Sequence, residues 1–410
     1  MSGVTEVFGP DGRASVTRQP LHATVQVEAV RCSAICFCRL LSAITQDHLC
    51  RSRKGTASAS LPATLVIADH TVRHMDISVP YLLFLGDVPD DLAAKMAHGI
   101  VEWRREACVG QHRLPGCRAD CGLPDMSLSE AKAAGARTMV IGVVNPGGVL
   151  PENWIDSIVA ALDAGFDVAS GLHMRLGDVP AIAEAAARNG RSLFEVRHSS
   201  ERFDTGKGTR RPGRRLLTVG TDCAVGKKFA ALAIAREMRD RGMDADFRAT
   251  GQTGILISGS GVAVDAVVAD FISGAAESLT PAAKPTHWDV VEGQGSLFHP
   301  SFAGVTLGLM HGTQPDAIIV CHEPTRTNMR NVSHPIPDIS EVIDLTIRCG
   351  RLTNPDIRCT GIAVNTAALD NKEAKRLLAE LTERYELPTT DPVRYGVATL
   401  VDHLIAEFPD

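Results

Sequence analysis

The sequence predicts an α/β protein of two domains, the second a doubly wound parallel sheet built around a phosphate-binding loop. Three observations predict it. Apolar strand-like runs alternate with helix-period runs from Val79 to the C-terminus. A polar, basic stretch at residues 207–215 interrupts that alternation, and a glycine-rich segment at residues 220–228 (GTDCAVGKK) lies between a strand pattern and a helix pattern. With 44% apolar residues, a chain of 410 residues can bury more than one core.

Residues 1–78 show no such alternation. One short apolar segment, 34–44, is broken by Arg39, and the rest mixes glycine, serine and polar residues. This stretch reads as a disordered extension or an over-long gene start, with Met75 just before the first strand; a small accessory domain is the other reading. Folded structure is expected from residues 79–85 (VPYLLFL), a buried-strand pattern, followed by a turn at 86–90 and a helix over 92–107. Strands at 138–144 and 167–170 and helices at 152–164 and 179–188 complete a small parallel α/β domain over residues 79–208. The pentapeptide LGDVP occurs at 85–89 and again at 176–180. Asp87 and Asp178 fit turn or helix-capping roles, with Pro89 and Pro180 in first helical turns.

The basic stretch containing Lys207, Arg210, Arg211, Arg214 and Arg215 reads as a solvated linker and marks a boundary. The second domain, 214–410, restarts with a strand at 216–219 and a helix at 227–241. Further strands are expected at 289–292, 316–321 and 361–365, and helices at 373–385 and 398–408. Ligands of such sheets collect beyond the carboxyl ends of the strands, where the glycine-rich segments fall.

The strongest chemical signal is the loop after the first strand of this domain. Backbone amides of Gly220, Thr221, Asp222, Cys223 and Gly226 can turn toward phosphate oxygens, the following helix adds the positive end of its dipole, and Lys227 adds a charge. Two departures from the common pattern matter: five residues separate Gly220 from Gly226 where four are usual, and Lys228 stands where a hydroxyl residue ordinarily ligates magnesium. The loop, with Lys228 counted among its cofactor contacts, therefore reads as a grip for coenzyme A or a nucleotide, with no metal expected.

A second constellation, residues 289–297 (DVVEGQGSL), delivers Glu292 and Gln294 at a strand end beside Gly293 and Gly295, glycines expected to permit close ligand approach. Glu292 is the first candidate general base and His311 the second; His322 is a further proton-transfer candidate. Gln252 and Thr253 are expected on the same rim, and with Gln294 and Ser296 they form the substrate-contact set. Cys223, near a helix N-terminus and Lys227, is a candidate for a lowered thiol pKa and a nucleophilic role. The clusters Cys32, Cys36, Cys38, Cys50 and Cys117, Cys121 lack paired zinc-ligand spacing, and the cysteines read as reduced thiols.

The motifs at 220–228 and 287–297 together resemble the D-glutamate N-acetyltransferase family, over a span from Tyr81 nearly to the C-terminus. The resemblance implies a Rossmann-like N-terminal domain joined to a P-loop domain, acetyl-CoA as co-substrate, D-glutamate as acceptor, and pathway coupling to a dehydrogenase acting on the N-acetylated product. The same two motifs also resemble dethiobiotin synthetase, an ATP- and magnesium-dependent enzyme, from whose pattern Lys228 departs. A non-catalytic nucleotide sensor would need the loop alone. A formal charge of -6 without long single-sign blocks argues against a nucleic-acid groove or membrane-binding face. No apolar run is long enough to span a bilayer and no signal peptide is evident, so a cytoplasmic location is expected; a small-molecule substrate and a homo-oligomer are the partner expectations.

Overall fold

The computed structural model describes residues 77–91, 93–143, 150–198 and 202–409. The expected N-terminal extension and its cysteine cluster lie outside the described residues, apart from Ile77, which is buried, and Ser78, whose carbonyl accepts the Thr138 hydroxyl at 2.7 Å.

The first sheet unit runs β1 (Tyr81–Gly86), α1 (Lys95–Arg104), β2 (Cys108–Arg113), α2 (Leu128–Ala133), β3 (Thr138–Ile141), α3 (Glu152–Asp163), β4 (Asp167–Ser170), α4 (Pro180–Asn189) and β5 (Leu193–Glu195). Its order is β2-β1-β3-β4-β5, and every pairing is parallel. The central strands β1 and β3 are buried throughout, as expected when helices cover both faces. Gly86 ends β1 with a positive φ of 56°, and the indole of Trp154 packs where its side chain would be. Asp87 is not a cap: its carboxylate accepts the Trp154 Nε1 proton at 2.8 Å and Asn153 Nδ2 at 3.0 Å. Pro180 opens α4 as expected, but Asp178 makes no cap bond, and α1 begins at Lys95, beyond Pro89.

The second unit runs β6 (Arg214–Gly220), α5 (Lys227–Asp240), β7 (Ala245–Arg248), α6 (Gln252–Ser258), α7 (Ile272–Leu279), β8 (Trp288–Val291), α8 (Ala303–Thr313), β9 (Ala317–His322), α9 (Ile339–Gly350), β10 (Arg358–Val364), α10 (Asn371–Tyr385), β11 (Thr389–Thr390) and α11 (Ala398–Glu407). Its order is β11-β10-β9-β6-β8-β7, again all parallel. Chain direction across the sheet reverses beside β6, so the glycine-rich loop leaves β6 at the topological switch point, where ligands of such sheets bind. Apolar side chains of β6, β8, β9 and β10 bury against α7 and α9 on one face and against α5 and α11 on the other.

The helix α6 joins the two units. Its apolar residues Ile255, Leu256 and Ile257 are buried in the core of the first unit, and Arg104 of α1 donates to the Ile257 carbonyl at 2.9 Å. Seven described cysteines are free thiols. Among the described residues, no helix is long and apolar enough to cross a membrane.

Candidate active site

The loop between β6 and α5 has the construction of an anion cradle. Ala224 and Gly226 take positive φ values of 54° and 107°, and no side chain caps the first turn of α5, which leaves its opening amides for an anion; the Thr221 amide, by contrast, is already donated to the Cys321 carbonyl at 3.1 Å. Lys227 is buried, and its ammonium donates to the Asp222 carbonyl at 2.7 Å. Burial holds its pKa below the usual lysine value, since among the described residues no carboxylate lies at ion-pair distance. An anion arriving at the loop supplies the missing countercharge.

Two arginines invisible to the motif reading hold this loop in shape. Arg326 donates to the Asp222 carboxylate at 2.9 Å and to the carbonyls of Cys223 and Ala224 at 2.7 and 2.9 Å, while the Arg330 amide donates to Asp222 at 2.8 Å. Both belong to the segment after β9, and a polar run following a strand's carboxyl end is the signal that could have flagged them. His322, the last residue of β9, meets the Thr221 hydroxyl through Nδ1 at 3.1 Å; burial lowers its pKa, which favours the neutral imidazole. Asp222, Cys223 and His299 bring ligand-type atoms within 4.8 Å of one another. The protein already engages two of them: Arg326 takes the Asp222 carboxylate, and His299 contacts the Arg330 carbonyl at 3.0 Å and accepts the Ser301 amide at 3.2 Å.

Glu292 follows β8 and is buried. Its Oε2 accepts the amides of Thr250 and Gly251, each at 3.1 Å, and no described group donates to Oε1. Loss of water around the carboxylate pushes its pKa up to about 7, against the opposing pull of the Lys228 charge, the two amides and Lys227. A side chain on Gly254 would collide with the carboxylate, so α6 closes over Glu292 through a glycine. Gln294 stands next to it, donating to the Thr250 hydroxyl at 3.1 Å.

Lys228 is turned toward the first unit. Its ammonium lies 4.6 Å from the Phe229 ring centroid and against Gly99 of α1; burial lowers its pKa, opposed by Glu292 and Glu102. Gln252 and Thr253, at the start of α6, also face that unit: Gln252 accepts from Arg197 at 3.3 Å, and Thr253 packs against Gly99. The loop, Glu292, Gln294, Lys228 and Gln252 thus meet where the second sheet's carboxyl edge approaches the first unit.

Several expectations need correction. His311 lies near the C-terminus of α8, on the opposite sheet edge from the loop, because β9 must still run its length before reaching His322; its Nε2 contacts the Cys349 carbonyl at 3.1 Å. Ser296 is buried beneath the loop, where its hydroxyl donates to the Thr221 carbonyl at 3.3 Å, so it supports the cradle from within the protein. Gly293 is required by packing, since any side chain there would strike the Thr218 carbonyl, and Gly295 by its positive φ of 64°. The Cys223 thiol is pushed up by burial, and the nearby positive charges of Lys227, Arg330 and Arg326 do not reverse the shift.

Known proteins share this architecture. Residues 112–199 match the Rossmann-like domain DUF1611_N, and residues 202–401 match the P-loop domain DUF1611_C, both described as domains of unknown function. The chain is 48% identical over 331 residues to a D-glutamate N-acetyltransferase from Pseudoalteromonas sp, covering 80% of this chain and 100% of that one. It is 53% identical over 331 residues to a D-glutamate N-acetyltransferase from Tritonibacter scottomollicae, covering 80% of this chain and 99% of that one. A solved DUF1611 family protein from Anabaena variabilis superposes with a TM-score of 0.72 at 30% identity, covering 80% of this chain and 100% of that one.

Proposed function

Because the chain belongs to the DUF1611 family, we propose that it transfers the acetyl group of acetyl-CoA to the amino nitrogen of D-glutamate. The observation that carries this reading is Glu292, a buried carboxylate with a pKa of about 7, set beside a phosphate-type loop. The names of both relatives support the acceptor and the reaction; the loop supports a phosphate-bearing donor.

An amino acid presents an ammonium group at neutral pH, and its nitrogen has no lone pair to attack with until a base removes a proton. Glu292 Oε1 takes that proton. The nitrogen then adds to the thioester carbonyl, forming the C–N bond and a tetrahedral oxyanion near the Gln294 amide, since the Glu292 and Gly293 amides already donate to the Arg248 carbonyl at 3.0 Å and the Thr218 hydroxyl at 2.9 Å. Collapse breaks the C–S bond, and the coenzyme A thiolate takes the second proton from nitrogen. Phosphates of the donor lie on the loop amides and Lys227. Lys228 stands where metal-dependent relatives of the motif carry a hydroxyl, and its charge favours the ionised form of Glu292. Gln252 and Gln294 flank the base as substrate contacts.

A substrate panel tests the reading: acetyl-CoA with D- and L-amino acids, beside ATP with magnesium. Acetylation of D-glutamate with release of free thiol is expected; ATP cleavage without acetyl transfer would sink the proposal. The raised pKa of the Cys223 thiol argues for direct attack. Intact-mass measurement after mixing with acetyl-CoA alone is therefore expected to show no acetyl group on Cys223, and a stoichiometric adduct there would replace direct attack by a two-step route.

A further inference from the structure

A second polar cavity, of about 680 Å³, lies between the two sheet units at the C-terminal end of α6, whose opening residue Gly251 holds Glu292. Trp103 and Arg104 form one wall; Arg236 and Arg239 of α5, with Phe247 and Arg248 of β7, form the other. Its volume is in the range of small-molecule sites. Arg236 is nine residues beyond Lys227, which at the helical rise places it roughly 13 Å along α5 from the phosphate loop. The two locations are therefore separate.

The charges in this cavity do not balance. Arg248 is committed to Asp289 at 2.5 Å and Asp246 at 3.2 Å. Arg104 donates to the Ile257 carbonyl at 2.9 Å and, among the described residues, has no carboxylate partner. Arg236 and Arg239 are exposed and, among the described residues, form no ion pair with a carboxylate. Against these three guanidinium groups the lining offers two carboxylates, Glu106 and Asp246, and Asp246 is already paired with Arg248. Like charges at i,i+3 on one helix repel, and an anion between Arg236 and Arg239 would turn that cost into binding energy. A further donor lies in the same wall: among the described residues Trp103 Nε1 is buried with no hydrogen-bond partner, while Arg236 lies over the indole, 4.4 Å from its centroid. Planar guanidinium groups suit the paired oxygens of phosphate, and Trp103, Phe247, Leu232 and Ile257 give an apolar surface for the body of the ligand.

We propose that this cavity binds a phosphate monoester of nucleotide size, held by Arg236 and Arg239 and bridging the two units. Ile257 and Ser258 at one end of α6 line the cavity, and the amide of Gly251 at the other end holds Glu292. A ligand in the cavity would therefore fix the helix that closes over the base.

The probe is AMP, titrated calorimetrically into the full-length Lys227→Ala protein, so that the phosphate loop contributes little. One AMP is expected per chain. Adding Arg236→Ala and Arg239→Ala should weaken AMP at least tenfold, and both adenosine and inorganic phosphate should bind Lys227→Ala at least tenfold more weakly than AMP. The two arginines are exposed, and a melting curve of the ligand-free triple variant within a few degrees of Lys227→Ala confirms that the fold persists. Failure of Lys227→Ala to bind AMP, or binding indifferent to the arginine substitutions, overturns the proposal. Equal affinity for AMP and adenosine, or for AMP and inorganic phosphate, overturns the assigned ligand class.

Discussion

Glu292→Gln is expected to lower turnover by about 10²–10⁴-fold, the range for loss of a general base, while acetyl-CoA affinity changes little. The substitution keeps the shape of the side chain, and an amide oxygen can still accept the Thr250 and Gly251 protons that Glu292 accepts at 3.1 Å. What disappears is the capacity to take a proton. Wild-type kcat/KM should rise with pH through about 7 as the carboxylate ionises, and this limb should be missing from the variant. Stability should move in the opposite direction. A carboxyl whose pKa is raised from 4.5 to about 7 in the folded chain binds its proton more tightly folded than unfolded. Its contribution is fully present below about 4.5 and is lost as pH rises through about 7, on the order of 3 kcal/mol at ~1.4 kcal/mol per pKa unit. Glu292→Gln should flatten that dependence, so the variant melts higher than wild type at pH 8 and near it at pH 4. Near-normal turnover in the variant removes Glu292 from the base role, whatever its melting behaviour.

Much of the framework was legible because its elements bury apolar side chains with regular period. The strand at 167–170 matches β4 to the residue, and the helices at 152–164 and 373–385 match α3 and α10 to within two. The missed strands are those with little apolar pattern to show. β2 reads CVGQHR and is half-buried at both ends; β7 reads ADFR on the edge of its sheet; β5 has three residues. The helix α6 hides behind a glycine-rich opening, and its apolar residues are explained only by the other unit's core, which is remote in sequence.

Candidate-site legibility follows the same division. A strand end followed by glycines exposes Glu292, but the pattern gives no side: Gln294 looks onto Glu292's corner, whereas Ser296 two residues later lies under the loop. Glycine is ambiguous for the same reason, since neither ligand approach nor backbone collision leaves a separate mark in sequence. His311 misleads because α8 is apolar on nearly every side and interrupted by glycines, so nothing marks it as a helix running away from the loop. Arg326 acts on Asp222 across 104 positions of sequence, a contact that only the order β9-β6 in the sheet creates.

Lys227→Ala is expected to weaken acetyl-CoA by roughly 1.5–3 kcal/mol, or about 10- to 150-fold in Kd, as for other charge-assisted contacts to phosphate. The ligand-free protein should respond differently. The Lys227 ammonium is buried against a backbone carbonyl at 2.7 Å, with no carboxylate at ion-pair distance among the described residues, so the unliganded fold bears the cost of an uncompensated charge. Lys227→Met, which keeps the volume of the stem, should therefore leave the ligand-free melting temperature unchanged or raise it, while abolishing most of the increase that acetyl-CoA produces in wild type by mass action. Because Lys228 occupies the place of a magnesium-ligating hydroxyl, EDTA should leave wild-type affinity and turnover intact. Unchanged calorimetric affinity in Lys227→Ala would move the donor phosphates off this loop, and strict magnesium dependence would return the loop to ATP chemistry.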